Sequence, residues 1–295
     1  MFLNCLILIS NFCWGLWGVF DKKALDSSNP CTVLLTQYFL ALPEILLLCG
    51  YLLLTQHHIE VNTPAFFWSA LGSITATMAM VAYLVAMSKA EASFVLGITA
   101  SYPLVMQILA SIFLGEKLVG NRILGSILIG AGVFAIGSSA GALMQKTSRR
   151  DRHIIVVSVI VATVGWGIHG LFDKKALGYA APLVVMLARC CFDFLTFGVM
   201  YLLATRLKID RKFNNRRTWI MCSSSTLCLF VGYICYLQAM MLASASYVIV
   251  ITGCYPLLMY IFALIFLKEK LNMYRLLGVL LVVAGGAMVQ FTQAS

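Results

Sequence analysis

The stretch Trp14-Gly-Leu-Trp-Gly-Val-Phe-Asp-Lys-Lys-Ala-Leu25 returns 152 residues later as Trp166-Gly-Ile-His-Gly-Leu-Phe-Asp-Lys-Lys-Ala-Leu177, identical at nine of twelve positions. A second pair, residues 92–118 and 245–271, matches at 17 of 27 positions with an offset of 153. The chain is one unit written twice, as residues 1–145 and 153–295. Self-similarity on this scale outranks local signals in deciding a fold.

Apolar residues make up 61% of the chain and charged residues 11%, and the mean hydropathy is +0.94. A soluble domain is roughly half apolar and a quarter charged, so this composition points to a membrane protein. A bilayer core of about 30 Å needs about 20 apolar residues of helix. Ten runs of that kind can be read, at 2–20, 31–54, 66–87, 94–114, 124–144, 154–172, 182–204, 219–241, 247–267 and 276–291. Barrel strands would be about half as long and would alternate polar and apolar residues. The expected fold is therefore an all-α membrane protein of ten transmembrane helices. Each repeat holds five, an odd number, so the second copy enters the bilayer from the opposite side and the halves are inverted. The ten cysteines stand singly except for Cys190-Cys191 and lack metal-ligand spacing, so they read as small buried apolar residues.

The net charge is +10, and its placement argues against nucleic acid as a partner. The basic runs at 146–152 and 206–217 flank membrane spans, where they set orientation and meet anionic lipid. Loops after odd-numbered spans carry 16 of the 21 Lys and Arg residues and loops after even-numbered spans carry four. This puts the odd loops in the cytoplasm and both termini outside. Residues 2–20 are followed by Asp21-Lys22-Lys23, the wrong charge order for a cleaved signal peptide, so this run is read as a true helix, one without an acid.

Small and imino residues recur inside the spans. Gly137 and Gly141 form a GxxxG pair, and Gly15 and Gly18 recur as Gly167 and Gly170, which predicts close helix packing. Tyr102-Pro103 and Tyr255-Pro256 are repeat-related, and each proline frees a carbonyl one turn earlier, to kink the helix or meet a ligand.

Each half thus has a Trp-Gly in its first helix and a fourth helix that reads Tyr-Pro-Leu and closes on Glu-Lys-Leu, at 116–118 and 269–271. A Gly-rich fifth helix follows in both. Over nearly its whole length the chain resembles the EamA-type transporters of the drug/metabolite transporter superfamily. The resemblance implies a ten-helix basket that moves small metabolites across an inner membrane by alternating access. Members of that family are described with both termini in the cytoplasm, opposite to the orientation that the charge count gives.

Ionisable groups inside spans cost at least about 2.5–3.5 kcal/mol on insertion scales and so mark function. Glu44 in span two and Arg189 and Asp193 in span seven stand out. All three break the repeat, their counterparts being Thr196, Gln37 and Ala41. Arg189 and Asp193 are four apart on one helix face, so they read either as a neutralised pair or, for Arg189, as a clamp for a ligand carboxylate. Glu44, without a partner in its own span, is the candidate for proton or cation coupling. The aromatic pairs Trp14 and Trp166, Tyr83 and Tyr236, and Tyr102 and Tyr255, with Trp17 and His169, complete the candidate substrate-binding set. The Asp-Lys-Lys and Glu-Lys segments that end spans one, four, six and nine read as anchors or as gate salt bridges. Neither catalytic nor phosphate-binding sequences such as HExxH, GxSxG or GxGxxG are present, which argues against an enzyme; no cofactor and no metal are expected.

The resulting expectation is an inner-membrane secondary transporter of a small polar or zwitterionic metabolite, such as an amino acid, working by export or exchange as a monomer or weak homodimer in the lipid bilayer. A passive channel and an accessory or flippase component for a lipid-linked metabolite are the competing readings. Cysteine labelling from each face tests the orientation: a cysteine near Arg211 should react from the cytoplasmic side, and reaction from outside alone would reverse the orientation.

Overall fold

The computed structural model describes residues 2–55, 62–99, 101–116, 120–138, 147–269 and 273–291. Among them there is no strand. The first half consists of α1 (Phe2–Leu25), α2 (Pro30–Phe39), α3 (Ala41–Leu54), α4 (Thr63–Lys89), α5 (Ala92–Thr99), α6 (Tyr102–Phe113) and α7 (Gly120–Ser138). The second consists of α8 (Arg149–Leu177), α9 (Pro182–Arg206), α10 (Arg216–Leu242), α11 (Ala245–Thr252), α12 (Tyr255–Phe262), which continues into a π-helical turn at Ala263–Leu267, and α13 (Met273–Phe291). Among the described residues seven helical stretches are long and apolar enough to cross a membrane, and three more are apolar but shorter, at Tyr102–Phe113, Gly120–Ile136 and Leu276–Met288.

Local sequence sets the helix starts. Asn29 caps α2, its side chain accepting from Thr32 N at 2.8 Å, with Pro30 at the first turn where a missing N–H costs nothing. Ser148 and Asn215 cap α8 and α10 in the same way. Proline also sets the breaks. Pro43 divides the second span into α2 and α3 at Leu40, and the two Tyr-Pro pairs divide the fourth and ninth spans. Of the carbonyls near those breaks, Ile98 O accepts from Ser101 Oγ at 2.7 Å and its repeat mate Ile251 O accepts from Asn11 Nδ2 at 3.1 Å. These two oxygens are answered by the protein, not offered to a ligand.

Neither half buries its own first helix. α1 packs along α10 and α8 packs along α4, so each first helix lies against the third helix of the other half. α7 and α13 pair across the halves as well. Lipid supplies no hydrophobic drive for this association, so it depends on close van der Waals contact between small residues. A Cβ on Gly278 would stand 2.3 Å from Gly132 O, and one on Gly132 would stand 2.4 Å from Gly278 O. The close crossing described on α7 is made by Gly132; of the Gly137–Gly141 pair, Gly141 lies outside the described residues.

The helix-end charges correct the sequence reading. α1 and α8 run on to Leu25 and Leu177, which places Asp21 and Asp173 inside helices and fully buried. The first helix therefore does carry an acid. Lys22 Nζ does not snorkel to a headgroup; it donates to Met87 O (2.7 Å) and Ala90 O (2.8 Å) at the C-terminus of α4. Lys174 does the same for α10, donating to Met240 O and, at 3.0 Å, to Ala243 O. Each ammonium answers carbonyls that a helix end leaves unpaired. Glu116 is likewise no anchor. Its carboxylate accepts from Ala245 N (2.8 Å), Ser246 N (3.0 Å) and Ser246 Oγ (2.6 Å) and so caps α11 of the other half. Lys117 and Lys270 lie outside the described residues.

The glycine crossing gives a direct test. Gly278→Val should force α7 and α13 apart and lower stability by about 1–3 kcal/mol, the usual cost of overpacking. Thermal unfolding of the purified protein in detergent would show it, and an unchanged midpoint would refute so close a crossing.

Candidate functional site

Between the halves lies a cavity of about 200 Å³. Ten of the eleven candidate residues line it: Trp14 and Trp17 from α1, Glu44 from α3, Tyr102 from α6, Trp166 and His169 from α8, Arg189 and Asp193 from α9, Tyr236 from α10 and Tyr255 from α12. Tyr83 stands behind the wall, fully buried, with its ring 5.0 Å from Trp17 and 5.4 Å from Trp166.

The aromatic wall repeats the swap of the helices. Trp14 meets Tyr236 at 5.4 Å and 50°, and Trp166 meets Tyr83 at 5.4 Å and 51°. Trp14 and Trp166 also lie edge-on to Tyr255 and Tyr102, at 6.0 and 6.5 Å. Each tryptophan of a first helix thus packs, tilted, against a tyrosine of the other half's third helix. The gap between Gly232 and Trp14 is equally tight, since a Cβ there would meet Trp14 Nε1 at 2.9 Å.

The polar groups depart from the symmetry. In the first half, Asp21 Oδ1 accepts from Gln37 Nε2 at 2.6 Å and from Ser225 Oγ at 2.5 Å, and Gln37 also donates to Ser225 Oγ at 2.9 Å. In the second half, Arg189 replaces Gln37, Gly72 replaces Ser225 and His169 replaces Trp17. Asp173 here lies 3.1 Å from His169 Nε2 of its own helix. His169 stacks on Tyr233 at 5.7 Å, and the Arg189 guanidinium sits over the same ring, 5.7 Å from its centre.

Arg189 is 5% exposed, and its Nε and Nη1 are buried without a hydrogen-bond partner among the described residues. Of the two readings of its spacing, the contact ion pair with Asp193 does not form among the described residues. That carboxylate instead accepts from Ser73 Oγ of α4, and Arg189 interacts with Asp173 and Asp193 only at longer range. The four-residue spacing puts the two on one helix face, but the guanidinium turns toward α4 and α10. Glu44 accepts from Cys190 Sγ at 3.5 Å. Among the described residues no group of three or more His, Cys, Asp or Glu side chains is placed to hold a metal ion.

The sequence reading passed over Gln37, Tyr38 and Tyr233, which also line the cavity. Tyr233 could have been found, because it lies three residues before Tyr236 on the same helix face. Tyr38, whose hydroxyl donates to Thr77 Oγ1 at 2.9 Å, gave no such signal.

Apolar helices on this scale, around a polar and aromatic cavity shared by two repeats, mark a multi-pass membrane protein. The EamA-like transporter family matches residues 1–138 and again 153–291, and the chain belongs to that family. Among curated proteins none matches. A solved crystal structure, described only as "Crystal structure of protein", shares the fold with a TM-score of 0.72 at 13% identity, over 98% of this chain and 97% of that one. The protein is thus a membrane transporter.

The charge arrangement can be tested through stability. Arg189→Ala leaves the buried Asp173 and the half-buried Asp193 without their nearby cation, and uncompensated buried charge costs about 3–5 kcal/mol. Asp193→Ala leaves Arg189 with Asp173 still near. The first variant should therefore melt earlier than the second, and equal losses would indicate a one-to-one pair.

Proposed function

We propose that the protein is a secondary transporter of the inner membrane that crosses the bilayer ten times and carries a small polar or zwitterionic metabolite, such as an amino acid or a related compound, by alternating access. Export or exchange is the direction of this reading. The odd-numbered loops, including 207–215, lie on the cytoplasmic side in it. Arg189 is the observation that carries the proposal: a guanidinium in the wall of a cavity inside the membrane, with no carboxylate within ion-pair distance among the described residues. A charge held at that depth needs a reason, and a planar guanidinium suits a ligand carboxylate. Glu44, Asp193 and the faces of Trp14 and Trp166 offer an ammonium group its matching environment. The interface between inverted halves is also where rocking motion exposes a central site to either face in turn.

Uptake and efflux of a radiolabelled metabolite panel in proteoliposomes tests the reading. Flux should saturate, and Arg189→Ala should raise KM for acids about ten- to hundredfold, the loss of a charge-assisted hydrogen bond of ~1.5–3 kcal/mol. The same variant should leave decarboxylated amines unaffected. Glu44→Gln should retain exchange yet lose accumulation driven by a pH gradient, because the amide resembles the protonated acid. Flux without saturation would support a channel instead. An equal loss for acids and amines would remove Arg189 as the carboxylate site.

A further inference from the structure

The internal repeat relates the two ends of the molecule, yet they are not fastened alike. At the Asp21 end, the α1–α2 turn is tied to the other half through hydroxyl and amide side chains. Ser27 Oγ and Ser28 Oγ lie 3.1 and 2.7 Å from Thr218 Oγ1, Asn29 Nδ2 donates to Asp210 O at 2.8 Å, and Asn215 Nδ2 donates to Ser27 O at 3.2 Å. Deeper in, Ser225 Oγ donates to Asp21 at 2.5 Å.

Carried across the repeat offset, Ser28, Asn29, Thr218 and Ser225 become Ala180, Ala181, Ala65 and Gly72. At the Asp173 end the hydrogen-bonding groups have been removed almost position by position. Asn62, the counterpart of Asn215, keeps its bond to Tyr179 O at 3.1 Å, which is the one side-chain tie found between the α8–α9 turn and α4 among the described residues. This end also carries an open recess of about 450 Å³, walled by Trp68, Glu116, Lys175 and Tyr179.

Gly72 is the centre of the difference. Where Ser225 fastens Asp21, a Cβ on Gly72 would stand 2.6 Å from Arg189 Nη1 and 3.4 Å from Asp173 Oδ1. We infer that Gly72 is a positioning residue: its missing side chain lets Arg189 lie against α4, free for a ligand's acidic group, and leaves the Asp173 end unlatched as the end through which the cavity opens. The part about Arg189 rests on the substrate reading above; the part about the opening end does not.

The opening end can be tested without a known substrate. A cysteine replacing Ala76 in the cavity wall is labelled with a membrane-impermeant maleimide from each face of oriented vesicles and located by mass spectrometry. The parent reacts from the Asp173 face. Gly72→Ser, which supplies the missing hydroxyl, slows that reaction about tenfold, the effect of one added latch bond. Thr218→Ala combined with Ser225→Gly opens labelling from the Asp21 face. Gly72→Ala crowds Nη1 without adding a hydroxyl, so it keeps the parent's labelling rate but loses most uptake of a radiolabelled amino-acid mixture. Parent labelling from the Asp21 face, or a Gly72→Ser rate equal to the parent's, overturns the inference. If Gly72→Ser does not fold, amide hydrogen exchange in the native chain decides: residues 178–184 should exchange about tenfold faster than 26–32, and equal rates reject it. Failure of the parent to take up any amino acid counts against the substrate reading alone, because the labelling arm stands without it.

Discussion

Lys22 and Lys174 each place an ammonium on two carbonyls at the end of a third helix, and the rest of the structure follows the same constraint. In hydrocarbon no solvent answers a polar group, so each such group must find its partner within the chain. The lysines tie each first helix to its own half at the tip, while its length packs on the other half. Glu116 and Arg122 tie the α11 N-terminus to the opposite half in the same way, Arg122 Nη1 donating to Ser244 Oγ at 2.9 Å. Charges that a composition table would assign to the membrane surface are thus structural joints.

The fold was largely legible because duplication leaves a mark that does not depend on geometry. Two offsets and ten apolar runs were sufficient to expect inverted helical halves. The cavity residues were legible for a related reason: Arg189, Asp193 and Glu44 are expensive where they are, and they break the repeat. Asp21 and Asp173 were misplaced because a hydropathy run ends at the first charge, whereas a helix ends where its hydrogen bonding ends. Five residues of extra helix moved both acids from the rim into the packed interior. The partner of Asp193 was not legible either, since Ser73 lies on another helix and nothing in the chain's own spacing points to it.

Symmetric and asymmetric parts have separate work. The Trp–Tyr pairs have the same 5.4 Å separation and tilts of 50° and 51° in the two halves, and they support the wall. The hydrogen-bonded cluster Asp21–Gln37–Ser225 and its altered copy Asp173–Arg189–Gly72 share one frame with different chemistry. A neutral amide in one copy and a guanidinium in the other give a symmetric scaffold a polar direction, which a transporter with two faces requires.

The crossing of α7 and α13 has a bearing on how the two halves can diverge. Gly132 of one copy touches Gly278 of the other, and Gly285 would set a Cβ 2.5 Å from Gly125 O. By the repeat offset Gly125 corresponds to Gly278 and Gly132 to Gly285, so each contact joins one member of each pair. A side chain gained at Gly132, Gly278 or Gly285 therefore collides with the other copy's backbone, which a side-chain substitution there cannot move. Duplicated sequences ordinarily drift apart, but at these three positions each copy holds the other to glycine.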